Sequence, residues 1–140
     1  MFNSRLSIGI HVLALLGLYS DRLLTSEQIA GSVNTNSVVI RRLLASLRKT
    51  GYVESKGGAS GGWRLIQNPQ NITLLDVRTA LSPENRIFDL HPAEPSARCL
   101  VGRNILGILD EIYDDTLQVL DRQLARTTIA SVMATIKAKG

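Results

Sequence analysis

Arg41, Arg42, Arg48 and Lys49 fall within nine residues, with Ser37 and Val38 just ahead of them. These side chains suit a polyanion that carries information. A guanidinium can bond both acceptors of a guanine edge, a hydroxyl can bond either base, and a valine methyl can meet that of thymine. The remaining cations suit phosphate neutralisation, which adds affinity without reading sequence. A second constellation follows directly: KGGASGGWRL, Lys56 to Leu65, places four glycines in six positions between two cations. It lacks the G-x-x-x-x-G-K-[ST] order, and its glycines precede a strand candidate rather than a helix, so a phosphate-binding loop is not expected.

Groups that could do covalent or metal chemistry are sparse. His11 falls in an apolar run and reads as a core residue, and His91 has no evident triad partner. Asp110, Glu111, Asp114 and Asp115 recur at helical spacing without histidines, which a solvated acidic face explains better than a metal site. No catalytic residue, bound metal or enzyme activity is expected.

The elements that position the cations can be read from capping and periodicity. The chain has 140 residues, which favours one compact domain with an appended element. Hydrophobic residues make up 44% and aromatics only 4%, so the core must rest on Leu, Ile, Val and Ala. Residues 3–20 form a nearly all-round apolar stretch. Its run SIGIHVLALLGLYS is interrupted by His11, lacks an A-x-A-like cleavage site and is too short for a bilayer. A buried helix in a cytoplasmic protein with no membrane partner is expected. The single cysteine excludes an intramolecular disulfide and suits a reducing compartment.

Thr25 with Gln28 predicts a capping box for a short helix ending near Gly31. Asn36 caps the next helix, which runs to about Thr50, buries Ile40, Leu43, Leu44 and Leu47, and stops at Gly51. Residues 52–55 and 63–66 then alternate as two strands of a hairpin. Thr73 with Asp76 opens a helix to about Leu81, and residues 83–99, rich in proline and without period, read as a long loop. A long amphipathic helix from Val101 to about Arg126 carries Ile105, Ile108, Leu109, Ile112, Thr116, Val119 and Leu120 along one side, and a last helix starts at Thr127 or Thr128. Charge is unevenly divided. Residues 1–64 hold eight cations against three acids, net +5, while residues 65–140 hold eight against nine, net −1. A polyanion would dock on the first half.

Helix, short turn, helix and glycine-tipped hairpin together are the order of a winged helix-turn-helix, in a mainly α fold. Within it, LTSEQIAGSVNTNSVVIRRLLASLRKTGYVESKGGASGGWRL resembles the Rrf-two (Rrf2) family of bacterial transcription regulators. Ile29-Ala30, Leu47-Arg48-Lys49-x-Gly51, Ser55, the Gly61-Gly62-aromatic-x-Leu65 exit and Ile72-Thr73-Leu74 with Asp76-Val77 carry the likeness. CLVGRNI and RTTIASV extend it over nearly the whole chain. The resemblance implies a homodimer on a palindromic promoter site in double-stranded DNA, with a repressor as the expected kind. It implies a DNA-binding unit over 1–82, an effector loop over 83–100, and a dimerisation helix plus C-terminal helix over 101–140. The candidate DNA contacts are then Ser26, Asn36, Ser37, Val38, Arg41, Arg42, Arg48 and Lys49 from the helices, and Ser55, Lys56, Gly57, Gly58, Ser60 and Arg64 from the wing. The rival reading is a winged-helix module that binds and regulates a partner enzyme.

Two departures from the family pattern bear on function. Well-known members carry three cysteines in the loop before the long helix, and this chain has only Cys99 there. One thiolate cannot hold an iron–sulfur cluster that takes four protein ligands, so no cofactor is expected. Cys99, beside Arg98 at a helix start and with His91 in the same loop, is instead a candidate thiol sensor, the alternative being a small buried packing residue. A small molecule between loop and long helix, or a partner protein, are the other candidate effectors. In the wing, Gly57 and Ser60 stand where many members have Arg and Lys, which shifts the electrostatic grip towards the helix before it.

Overall fold

The computed structural model describes residues 4–82 and 86–140. The expected helix start at residue 3 and positions 83–85 of the expected loop lie outside them. Six α-helices and one antiparallel hairpin follow in the order α1 (Arg5–Leu18), α2 (Ser26–Val33), α3 (Ser37–Lys49), β1 (Val53–Lys56), β2 (Gly62–Leu65), α4 (Leu74–Leu81), α5 (Leu100–Leu124) and α6 (Ile129–Lys139). A 3-10 turn, Pro69–Asn71, which periodicity did not reveal, leads into α4.

Caps set most of the boundaries. Thr25 accepts from the Gln28 amide at 3.1 Å while its own amide donates to Gln28 Oε1 at 2.9 Å, and Thr73 makes the same reciprocal pair with Asp76. Asn36 Oδ1 accepts from the Val39 amide at 3.0 Å to start α3. The stop of α2 differs from expectation. It runs past Gly31 to Val33, and Asn34 ends it at φ 65° in the left-handed region. Asparagine tolerates that conformation, so the tight turn between α2 and α3 needs no glycine.

The core gathers Val12, Leu13 and Leu16 of α1, Ile29 of α2, Ile40, Leu44 and Leu47 of α3, and Val77 and Leu81 of α4. Ile72 and Ile129 join it fully buried, which brings the start of α6 into the same core. Backbone bonds fix that return: Leu74 N–H donates to Thr127 O and Ile129 N–H to Ile72 O, both at 2.9 Å, with Thr73 bridged to Thr128. α6 then lies along α1. His11 is not part of the core. It is exposed, with Nε2 2.8 Å from the Ser32 hydroxyl of α2, at the surface edge between α1 and α2. Burial, reinforced by the Asp76 carboxylate, raises the Tyr52 phenol above its ordinary pKa.

α5 is the exception to this packing. Of its 25 residues only Leu117 is buried. Leu100, Val101, Ile108, Ile112 and Val119 are each more than half exposed.

Candidate nucleic-acid interface

The turn at Asn34 sets α3 against α2, and α3 hides its aliphatic stripe while showing solvent a mixed face. Val38 and Val39 are exposed beside half-buried Ser37, followed by exposed Arg41, Arg42, Arg48 and Lys49. The Asn36 carboxamide oxygen is already committed to the α3 cap. Arg41 reaches across to α2, where Nη1 donates to Glu27 Oε1 at 3.2 Å. The pair is half-exposed and so adds little stability, but it orients the guanidinium. Among the described residues Arg42, Lys49 and Lys56 make no ion pair, so their charge is free for phosphate.

The wing is tied to both helices by one aromatic ring. β1 and β2 pair antiparallel, with Glu54 opposite Arg64 and Ser55 opposite Trp63. The strands sit one residue from where alternation placed them. On its outer edge, Trp63 exchanges two backbone bonds with Leu24, at 2.8 and 3.0 Å. A side chain on Gly62 would collide with the Leu24 carbonyl oxygen, which explains the glycine beside the tryptophan. Gly61 is equally constrained, because a Cβ there would overlap the Lys56 carbonyl. These two glycines serve close backbone approach, whereas Gly57 and Gly58 meet open space at the tip.

Trp63 Nε1 donates to Ser26 Oγ at 3.2 Å, and the Arg48 guanidinium lies 5.3 Å from the indole centroid. Arg48 Nη1 also donates to Ser55 Oγ at 3.0 Å. One expected DNA contact is therefore reassigned, and a second has a structural role as well. Ser26 is buried, 7% exposed, and its hydroxyl is held by the indole, so it positions the wing instead of touching a duplex. Arg48 clamps the end of α3 to the wing through a cation–π contact and a hydroxyl bond. Arg64 faces Glu54 across the hairpin and is ion-paired with it, which reduces its free charge. Lys56, Gly57, Gly58 and Ser60 lie exposed at the tip. A basic, small-residue helix face joined rigidly to an exposed hairpin is a shape that fits a major groove and its flanking backbone.

Cys99 is exposed at the N-cap of α5 and makes no side-chain capping bond, so it is not the buried packing residue allowed by its sequence alone. His91 is exposed in the preceding segment. A cavity of about 220 Å³ between Arg86–Phe88 and the Asp110, Tyr113 and Asp114 face of α5 is smaller than the several hundred Å³ usual for small-molecule sites.

The model of the family described as "Rrf2: Iron-dependent Transcriptional regulator" matches residues 2–135. The chain belongs to the Rrf2 family. It is a DNA-binding transcription regulator and not an enzyme. It is 37% identical to the "Putative HTH-type transcriptional regulator YwnA" of Bacillus subtilis (strain 168) over 95% of this chain and 97% of that protein. A solved structure described as "a putative DNA binding protein" is 34% identical, covers 93% of this chain and 99% of its own, and superposes with a TM-score of 0.73. CymR, the global cysteine regulator of B. subtilis, shares the fold at 19% identity, with a TM-score of 0.69 over 96% of this Rrf2 chain and 97% of that one. The family's description names iron. The chain has one cysteine, and among the described residues no three His, Cys, Asp or Glu side chains gather where a metal could sit. That donor set does not fit an iron–sulfur cluster with four protein ligands. Among the described residues no helix is long and apolar enough to cross a membrane.

Proposed function

We propose that this Rrf2 regulator is a cytoplasmic homodimeric repressor that reads a palindromic promoter site and senses its effector without an iron–sulfur cluster. The observation that carries the dimer is the bare stripe of α5. Val101, Ile105, Ile108, Ile112 and Val119 recur at spacings of four, three, four and seven, the seam along which two helices pack. Four of them are 51–65% exposed, and Leu109, Thr116 and Leu120 flank the seam. A second copy of α5 would cover it in an isologous interface. On this reading residues 1–82 form the reading unit, 83–100 the effector segment and 101–140 the dimer helix and α6, with α6 also serving the reading unit's core.

The assigned contacts divide by chemistry. Ser37, Val38 and Arg41 face base edges, while Arg42, Lys49 and the wing tip at Lys56 to Ser60 face phosphates. Arg41→Ala is expected to relax base preference at one operator position at a cost of ~1–3 kcal/mol. Arg42→Ala or Lys49→Ala should weaken all sequences alike and flatten the salt dependence. Selection of bound sites from a genomic DNA pool, followed by titrations at several salt concentrations, checks both. A uniform loss from Arg41→Ala would contradict the division.

Cys99 is the proposed input, with a small molecule or a partner protein as alternatives. Its thiol precedes Leu100 and Val101, 68% and 65% exposed at the end of the seam. A modification there adds bulk and polarity where two copies would approach. Oxidant should therefore weaken operator binding by the wild type and leave Cys99→Ser unaffected. Equal responses from the two proteins would remove Cys99 as the sensor.

A further inference from the structure

Besides the Arg86 and Phe88 side chains that lie along its middle, the long helix is joined to the helical core near its C-terminal end by two different fastenings. The first is a hinge: the backbone bonds from Leu74 to Thr127 and from Ile129 to Ile72 pin the chain just beyond α5. The second is a strut. Arg78, on α4, donates from Nε to Asp121 Oδ1 at 2.7 Å and from Nη2 to Asp121 Oδ2 at 2.6 Å. Both side chains are largely shielded, 11% and 24% exposed, unlike the half-exposed pairs elsewhere. Two parallel bonds between a planar guanidinium and a carboxylate fix direction as well as distance. A hinge alone leaves an angle free, and a hinge with a strut does not.

We infer that Arg78 and Asp121 are positioning residues that set the spacing between the two operator half-sites. The inference rests on the proposed dimer, because the angle matters only if α5 meets its copy. α4 packs on α1 and on α3, so the most direct side-chain path from reading helix to α5 runs through α4 and this pair. The lever is long. At 1.5 Å per residue α5 spans about 37 Å, and a tilt of about 10° at its fastened end moves the other end by about 6 Å. That is close to two base pairs at about 3.4 Å each. Without the strut the two reading heads lose their fixed separation, and bivalent binding loses its match to one operator geometry.

The test uses the full chain with palindromic duplexes whose central spacer is lengthened or shortened by one and two base pairs, and with a lone half-site. The wild type should prefer one spacer by about tenfold or more. Asp121→Asn and Arg78→Gln should flatten that preference to within about threefold while half-site affinity and sedimentation as a dimer stay as in the wild type. Arg78→Met combined with Asp121→Leu separates position from stability, since an apolar pair can replace an ion pair without loss of stability but supplies no direction. It should unfold like the wild type and still tolerate several spacers. A dimeric, folded variant that keeps the sharp spacer preference overturns the inference. A wild type that sediments as a monomer overturns the dimer as well.

Discussion

An Ile112→Asp chain is expected to be a folded monomer that binds a lone half-site normally and a palindrome about 10²–10⁴-fold more weakly than the wild type. Ile112 lies midway along α5, is 51% exposed within its own chain and is not part of the buried core, so the substitution leaves that core intact. Across a two-fold seam the same position would place two carboxylates in an apolar contact, where an unpaired charge is expensive. The avidity from holding two half-sites at once would then disappear while each reading unit stays intact. Sedimentation gives the mass and a titration against both duplexes gives the affinities. Persistence of the dimer would show that α5 is not the seam.

Ile129→Ala should lower stability by ~2–5 kcal/mol, the usual cost of cutting a fully buried isoleucine back to alanine. Against a total of about 5–15 kcal/mol that is a large fraction. Ile129 has no exposed surface and shares the core with Ile72, Val77 and Leu81, although it lies some fifty residues beyond them. The loss should appear in urea as a lower midpoint with an unchanged slope, and DNA binding should fall in step with the folded fraction. A shift below about 1 kcal/mol would mean that α6 contributes little to the reading unit.

Much of the reading head was legible because its signals are local. Thr25 with Gln28 and Thr73 with Asp76 are three residues apart, and the buried stripe of α3 needs only helical periodicity. The winged order and the exposed seam of α5 follow from the same kind of pattern. What escaped was decided by partners distant in sequence. Ser26 looked available for DNA until the indole of Trp63, 37 residues on, took its hydroxyl. Arg48 read as a phosphate contact alone, and only the folded wing shows that it also braces Ser55 and Trp63. His11 sat in an apolar run, but only the packing of α1 shows which face is turned outward. Arg78 and Asp121 are 43 residues apart and neither stands out among its neighbours. A short Asx-capped turn also disguised the end of α2, because Asn34 replaced the glycine that the rule favours.

The return of α6 to α1 has a consequence for how the molecule comes into being. A winged helix built only from local pieces could complete itself on the ribosome as soon as its wing emerged. Here the seal between Ile72 and Ile129 closes across more than fifty residues, a loop that must form before its contacts repay the lost chain entropy. Until the residues after Thr128 have been synthesised, α1 lacks one of its packing neighbours and the core lacks Ile129. The nascent chain therefore carries its basic helix in an unfinished fold, and competence to bind a promoter comes late in translation. Newly made copies enter the pool of regulators only once the far end of the chain has closed the near one.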